Sequence, residues 1–192
     1  MDPDWNEIWK ARQSLHESSK HFNDSSHNWN LRENAERYDS SSRSEYDDRV
    51  KTTIDSLEIN WNSKVLDIGA GPGTLAIPLA PLVREITAVE PGGGMVEVLK
   101  NRAEKQRFRN IACVQKRWED IDPARDLAVP YDIVVASLSL TMSDIREALG
   151  KMDAVSSDSV HLFWCADMPF WEQMYADLWH LLHGSPYHPG PK

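Results

Sequence analysis

Val65-Leu66-Asp67-Ile68-Gly69-Ala70-Gly71-Pro72-Gly73-Thr74, followed by Val89-Glu90, is the stretch on which the fold turns. A short apolar run of this kind makes a buried strand. The glycines then turn the chain sharply, because glycine admits positive φ and lets the backbone approach a ligand. The helix that follows opens with N–H groups that have no acceptor inside the helix. Glu90 ends the next apolar run, 21 residues beyond Gly69. A carboxylate at that strand end can accept two hydrogen bonds from a ribose diol.

Outward from this turn, short apolar runs alternate with helical periodicity as far as residue 183. The pattern predicts strands at 65–68, 85–90, 111–115, 131–136 and 160–166. It predicts helices at 74–83, shortened by Pro78 and Pro81, then at 95–107, from a Ser143 cap to about 155, and at 170–183. Such alternation implies an α/β fold, a Rossmann-like doubly wound, mostly parallel sheet. The segment after residue 184 has loop composition.

Residues 1–60 read differently, as a polar N-terminal helical lid on a core spanning 61–192. Trp5, Ile8, Trp9, Arg12 and Leu15 recur at three and four and form one helix face, with Pro3 in the first turn and Asp2 as cap. Residues 17–27 lack periodicity and read as loop. Trp29, Leu31, Ala35 and Tyr38 suggest a short second helix, broken by Asp39-Ser40-Ser41-Ser42-Arg43. Ser44 with Asp47 then resembles a capping box, opening a third helix with Tyr46, Val50, Thr53, Ile54 and Leu57 inward.

The bulk numbers narrow the function classes. A chain of 192 residues with 41% hydrophobic content can bury one sizeable core. No apolar run approaches the roughly 18 residues that a membrane span needs. The start, Met1-Asp2-Pro3-Asp4-Trp5, resembles no secretory signal. Cys113 and Cys165 are expected in buried strands as reduced thiols. A cytoplasmic, membrane-free protein is therefore expected. The net charge is −9, and the densest basic stretch, 100–109, reads as a solvated helix face. A duplex-binding protein needs a basic face, so no nucleic-acid partner is expected.

Two cofactor classes use a glycine turn with a strand-end acid. Dinucleotide sites want G-x-G-x-x-G/A, whereas the spacing here is G-x-G-x-G, with Thr74 in the place of the third small residue. Asp67 would repel a pyrophosphate but suits the ammonium of an amino acid. The charge favours S-adenosylmethionine over NAD.

These residues resemble the class I S-adenosylmethionine-dependent methyltransferases. VLDIGAGPGT is similar to their first motif, AVEPGGGMVEVL to the second, RWEDI to the adenine-contacting motif, and YDIVVASLSL to the fourth. The resemblance spans about residues 45 to 166. It implies that Asp67, Gly69, Ala70 and Gly71 line the methionine part of the cofactor, and that Gly73 and Thr74 shape the same turn. Glu90 would hold the ribose hydroxyls, with Pro91 and Met95 near the adenine. Trp118 and Glu119 would border the adenine, and Ser137 and Leu138 would floor the site. Relatives often carry an acid where Arg117 stands here, so Glu119 is the substitute for the adenine amine. Trp118 is equally readable as a core anchor, and Met95 as helix core. Family sheets have seven strands; five are countable here, so the edge strands are expected in a missing C-terminal segment.

The motifs name no general base, and methyl transfer does not require one. The segment after strand four lacks Asn/Asp-Pro-Pro-Tyr and Pro-Cys, and no acid cluster suggests a metal. His180 and His183 read as surface histidines, with no metal expected. Trp9, Trp29, Tyr38, Tyr46, Trp164, Phe170, Trp171 and Tyr175 form a candidate aromatic lid, with Tyr38 and Tyr46 nearest the cofactor. His21 and His27 are candidate bases. A small-molecule acceptor is expected, with a protein acceptor as second choice. A cofactor-binding regulator and an NAD-dependent oxidoreductase are the competing functions.

Overall fold

The computed structural model describes residues 2–19, 25–165, 167–168 and 170–190; the side chains of 19, 25–27, 41–47 and 170–171 lie outside the description. Helices α1 (Trp5–Ser19), α2 (Ser25–Asn30) and α3 (Arg32–Asp55) precede the sheet. Then β1 (Lys64–Ile68), α4 (Ala76–Leu79), β2 (Glu85–Val89), α5 (Gly93–Lys105), β3 (Ile111–Val114), α6 (Pro123–Asp126), β4 (Tyr131–Ser137), α7 (Ile145–Val155), β5 (Ser156–Phe163) and α8 (Phe170–His183) follow. Among the described residues the sheet has five strands, ordered β3-β2-β1-β4-β5, all parallel. The order reverses between β1 and β4, which places a crevice at their carboxyl ends.

Apolar side chains cover both faces of the sheet. Val65, Ile86, Ile133 and Val135 pack with Leu75, Leu79 and Leu99 on one side. Leu66, Ile68, Val134 and Ala136 pack with Trp118, Met152 and Val155 on the other. Burial on both sides explains why β1 and β4 read as near-continuous apolar runs. Tyr131 is wholly buried, and its hydroxyl donates to Thr87 Oγ1 (2.9 Å), so its polar end is satisfied inside the core.

Several boundaries differ from the sequence reading. The serine-rich stretch does not break a helix: α3 runs without interruption across it. Propensity is a weak prior, and tertiary packing holds the helix on both sides of the stretch. Ala35 and Tyr38 pack on Met95 and Val98 of α5. The carboxylate of Asp39 takes a 2.8 Å bond from Arg102, whose guanidinium also donates to the carbonyl oxygen of Pro72 in the glycine turn. The predicted 17–27 loop is shortened by α1, which reaches Ser19, and by α2, which begins at Ser25.

Helix α1 also faces another way. Trp5 and Leu15 are exposed, as is Arg12, whereas Asn6 and Gln13 are buried. Asn6 Oδ1 accepts from the backbone N–H of Arg146 (3.0 Å), Trp9 Nε1 donates to the Met142 carbonyl (2.8 Å), and Gln13 Nε2 donates to the Thr141 carbonyl (3.1 Å). These bonds dock α1 on the segment after β4, and they select a partly polar face over the apolar stripe. Asp4, not Asp2, accepts at the start of α1, from the N–H of Asn6. Asp144, not Ser143, caps α7 by accepting from Glu147 N. That cap, with the Lys10 ammonium beside it, holds the Asp144 carboxyl down at about 2, the Lys10 bond being the larger cause. Strand β5 starts at Ser156, directly after α7. Cys165 lies beyond it, and both cysteines are half-buried rather than core thiols.

Candidate functional site

The elements meet around one large cavity of about 780 Å³ at the carboxyl ends of β1, β2 and β4. That volume suits a small ligand with room for a second molecule. Asp67, Gly69, Ala70, Gly71 and Thr74 line it from the first turn. Glu90, Pro91 and Met95 line it from the second strand end, Arg117, Trp118 and Glu119 from the segment after β3, and Ser137 and Leu138 from the end of β4. Tyr38 closes one side from α3. Tyr46 lies outside the described side chains.

Gly73 is the exception among the expected residues. It does not line the cavity. A Cβ there would meet Ile77 at 2.9 Å and Leu99 at 3.0 Å, and φ is +84°. It packs α4 and α5 onto the turn, so the helices themselves require the glycine. Gly71 is the opposite case: its φ is +56° and nothing lies within 4 Å of a Cβ there. The turn leaves open space above it.

Asp67 is 2% exposed at the end of β1. It takes one backbone N–H bond, from Ala76, while its Oδ2 has no hydrogen-bond partner among the described residues. Burial, and next the nearby Glu90 carboxylate, push its pKa up to about 7. A buried carboxylate with an idle oxygen is costly unless a cationic or hydrogen-bonding group answers it. Glu90 is also held in place: its oxygens accept from Gly92 N (2.7 Å) and Gly71 N (3.0 Å). Burial raises its pKa while these two bonds pull it back. Each oxygen keeps a lone pair for a further donor.

Trp118 is both a core residue and a wall of the cavity. It is buried in the core beside α7, and its Nε1 donates to the Ala148 carbonyl (3.1 Å). Arg117 and Glu119 stand exposed at the rim. Leu138 has φ +53°, and its N–H donates to the Phe163 carbonyl (2.9 Å). Left-handed backbone at leucine costs roughly 1–2 kcal/mol, and such strain concentrates at working sites.

The expected aromatic lid divides. Trp29, Tyr38 and Trp164 line the cavity, with Trp29 edge-on to Tyr38 at 5.4 Å. Trp9 sits behind Trp164, their ring centroids 6.5 Å apart. Tyr175 is exposed and turns toward Trp179 and Tyr187. The side chains of Phe170, Trp171 and His27 are outside the described ones, and His21 is outside the described residues.

Residues that the sequence did not nominate also line the cavity: Gln13, His16 and Glu17 of α1, Arg49 of α3, Asp167, and Glu172 of α8. Arg49 donates to Ser137 Oγ (3.1 Å). The signal for α1 was present as a polar i, i+3, i+4 set at 13, 16 and 17, hidden behind a more apolar stripe.

Residues 65–159 match the family model for a methyltransferase domain, the stretch that carries the glycine turn, Glu90 and the end of β4. The chain belongs to the class I, Rossmann-like S-adenosylmethionine-dependent methyltransferases. A curated relative of this methyltransferase chain is the uncharacterized methyltransferase YcgJ of Bacillus subtilis, 30% identical over 53% of this chain and 40% of its own length. The crystal structure of YcgJ superposes with a TM-score of 0.55 at 25% identity, covering 73% of this chain and 61% of that one. The 23S rRNA uracil-C5 methyltransferase RlmD of Pasteurella multocida is 32% identical over 34% of this chain and 15% of its own length. Coclaurine N-methyltransferase, solved with S-adenosylhomocysteine, shares the fold at TM-score 0.52 and 20% identity, over 59% of this chain and 34% of that one. The methyltransferase chain thus spans 40% or less of these two curated relatives' lengths. No described helix is long and apolar enough to cross a membrane.

Proposed function

We propose that this chain binds S-adenosylmethionine in the cavity at the ends of β1, β2 and β4 and transfers its methyl group to a small-molecule acceptor. The idle, buried Oδ2 of Asp67 carries this reading. An α-ammonium group would satisfy it, while a diphosphate would meet a repulsive charge. The open space over Gly71 admits the ligand backbone, and Glu90, already fixed by two N–H groups, presents lone pairs to a ribose diol. Tyr38, Met95 and Trp118, which line the cavity, offer apolar surface to the adenine. When bound, the cofactor supplies an electrophilic methyl group on a sulfonium. The chain's residues orient it and exclude water.

The acceptor reading rests on enclosure. The cavity continues past the cofactor crevice to a roof made by α1, α8 and Trp164, a shape that suits a small molecule. Some relatives bear rRNA methyltransferase names; the −9 charge of this chain weighs against a nucleic-acid acceptor. Titration calorimetry with S-adenosylhomocysteine and with NADH tests the cofactor. S-adenosylhomocysteine binds one per chain, NADH does not, and Asp67→Ala weakens binding at least tenfold. Binding of NADH in its place, or an unaffected Asp67→Ala, overturns the reading.

A further inference from the structure

Helix α1 presents a ring to the cavity whose tautomer is fixed. The Nδ1 of His16 lies 2.8 Å from the carbonyl oxygen of His188. A carbonyl only accepts, so Nδ1 carries the proton, and in the neutral ring Nε2 is the basic nitrogen. Tyr187 packs edge-on to the imidazole with centroids 5.8 Å apart, which holds its plane. Gly190 sits against the ring: a Cβ there would lie 3.6 Å from Cδ2, 3.7 Å from Cγ and 3.8 Å from Nε2, so a longer side chain would crowd the imidazole. His16 and Gly190 both line the cavity. Gln13, one turn earlier on the same helix face, donates to the Thr141 carbonyl. That bond sets α1 over the segment after β4.

We infer that His16 is the general base of the methyl transfer, and that the acceptor is therefore a small nucleophile carrying a proton, a hydroxyl or an amine N–H group. This rests on the methyl-transfer reading above. In the step the acceptor lone pair bonds to the methyl carbon, the carbon–sulfur bond breaks with its electron pair left on sulfur, and the acceptor proton passes to Nε2 of His16. Solvent then removes that proton. An oriented base of this kind contributes roughly 10²–10⁴ in rate. The titratable and charged groups that line the cavity beyond the cofactor turn, or pack on the ring, are Glu17 on α1, Arg49 on α3, Cys165 and Asp167 after β5, Glu172 on α8 and Tyr187. The carboxylates of Glu17 and Glu172 favour the imidazolium formed in the step.

The test uses the whole chain with S-adenosylmethionine labelled in its methyl group and a panel of small phenols, alcohols and primary amines beside tertiary amines and thioethers, which carry no proton on the nucleophile. Transfer is expected only to the proton-bearing compounds. His16→Gln should lower kcat about a hundredfold or more and remove the acidic limb of the pH profile, the loss of activity on protonating the base. S-adenosylhomocysteine affinity should remain within twofold, which also shows that the variant folds. Gly190→Val should reduce turnover with the same affinity retained. Nitrogen NMR of the His16 ring should show Nδ1 protonated in the neutral state. Equal transfer to proton-free nucleophiles, an unaffected His16→Gln, or the opposite tautomer overturns the inference. Tight S-adenosylhomocysteine binding with no transfer to any proton-bearing compound does so too. Failure to bind S-adenosylhomocysteine at all overturns the earlier reading instead.

Discussion

Asp67 makes the protein less stable at neutral pH than a neutral side chain would. Its carboxyl titrates near 7 in the fold, against an ordinary value of 3.8. The unfolded chain therefore releases this proton first as pH rises, and stability is lost between about 4 and 7. At 1.36 kcal/mol per pKa unit the loss is on the order of 4 kcal/mol. Asp67→Asn keeps an acceptor for Ala76 N and removes the charge. It should raise stability by about 2 kcal/mol at pH 8, with a gain that shrinks toward pH 5, as read from urea unfolding at the two pH values. The ligand side of the linkage has the opposite sense. A cationic head binds the ionised carboxylate, so S-adenosylhomocysteine affinity should climb from pH 6 to pH 8, with proton release visible when calorimetry is repeated in buffers of different ionisation enthalpy. A flat profile would mean that Asp67 does not meet the ammonium. Asp67 and Glu90 were legible because charge and spacing are properties of the sequence. The idle Oδ2 was not, since only packing reveals which oxygen finds a partner.

Among elements, the glycine turn and helix α1 show what a sequence reveals and what it hides. In the turn, Gly71 and Gly73 look alike as letters, two residues apart, but one opens on space and the other on Ile77 and Leu99. Gly73→Ala should cost about 2–3 kcal/mol through left-handed strain and overpacking. Gly71→Ala should cost only the strain, about 1 kcal/mol, yet weaken S-adenosylhomocysteine binding more than tenfold. Thermal melts and calorimetry on the two variants separate these outcomes, and equal effects on both quantities would contradict the assignment. Helix α1 was legible as a helix and misleading as to its face. Its strongest apolar period includes Trp5 and Leu15, which solvent keeps, whereas Asn6 and Gln13 go inward because backbone groups after β4 answer them. Helix α3 likewise defied its serine-rich centre, because Asp39 and Arg102 join it to α5 and the turn. Periodicity registers apolar burial; it is blind to a polar face that finds partners far along the chain.

Across the whole molecule, the parallel β3-β2-β1-β4-β5 order creates the crevice, and the N-terminal helices and the segment after β5 roof it. The alternation of strand and helix was readable because every strand is short and apolar. The roof was readable only in part: Trp29, Tyr38 and Trp164 reach the cavity, and Trp9 supports them from behind. His16 entered the cavity wall through a backbone carbonyl more than a hundred residues away, a contact that no local pattern encodes. The measurement that bears most directly on the account is a crystal structure with S-adenosylhomocysteine bound. It should place the ligand's α-amino nitrogen about 3 Å from the Asp67 carboxylate and the ribose hydroxyls on Glu90. An empty crevice at saturating ligand, or a phosphate-bearing molecule seated beside Asp67, would contradict it.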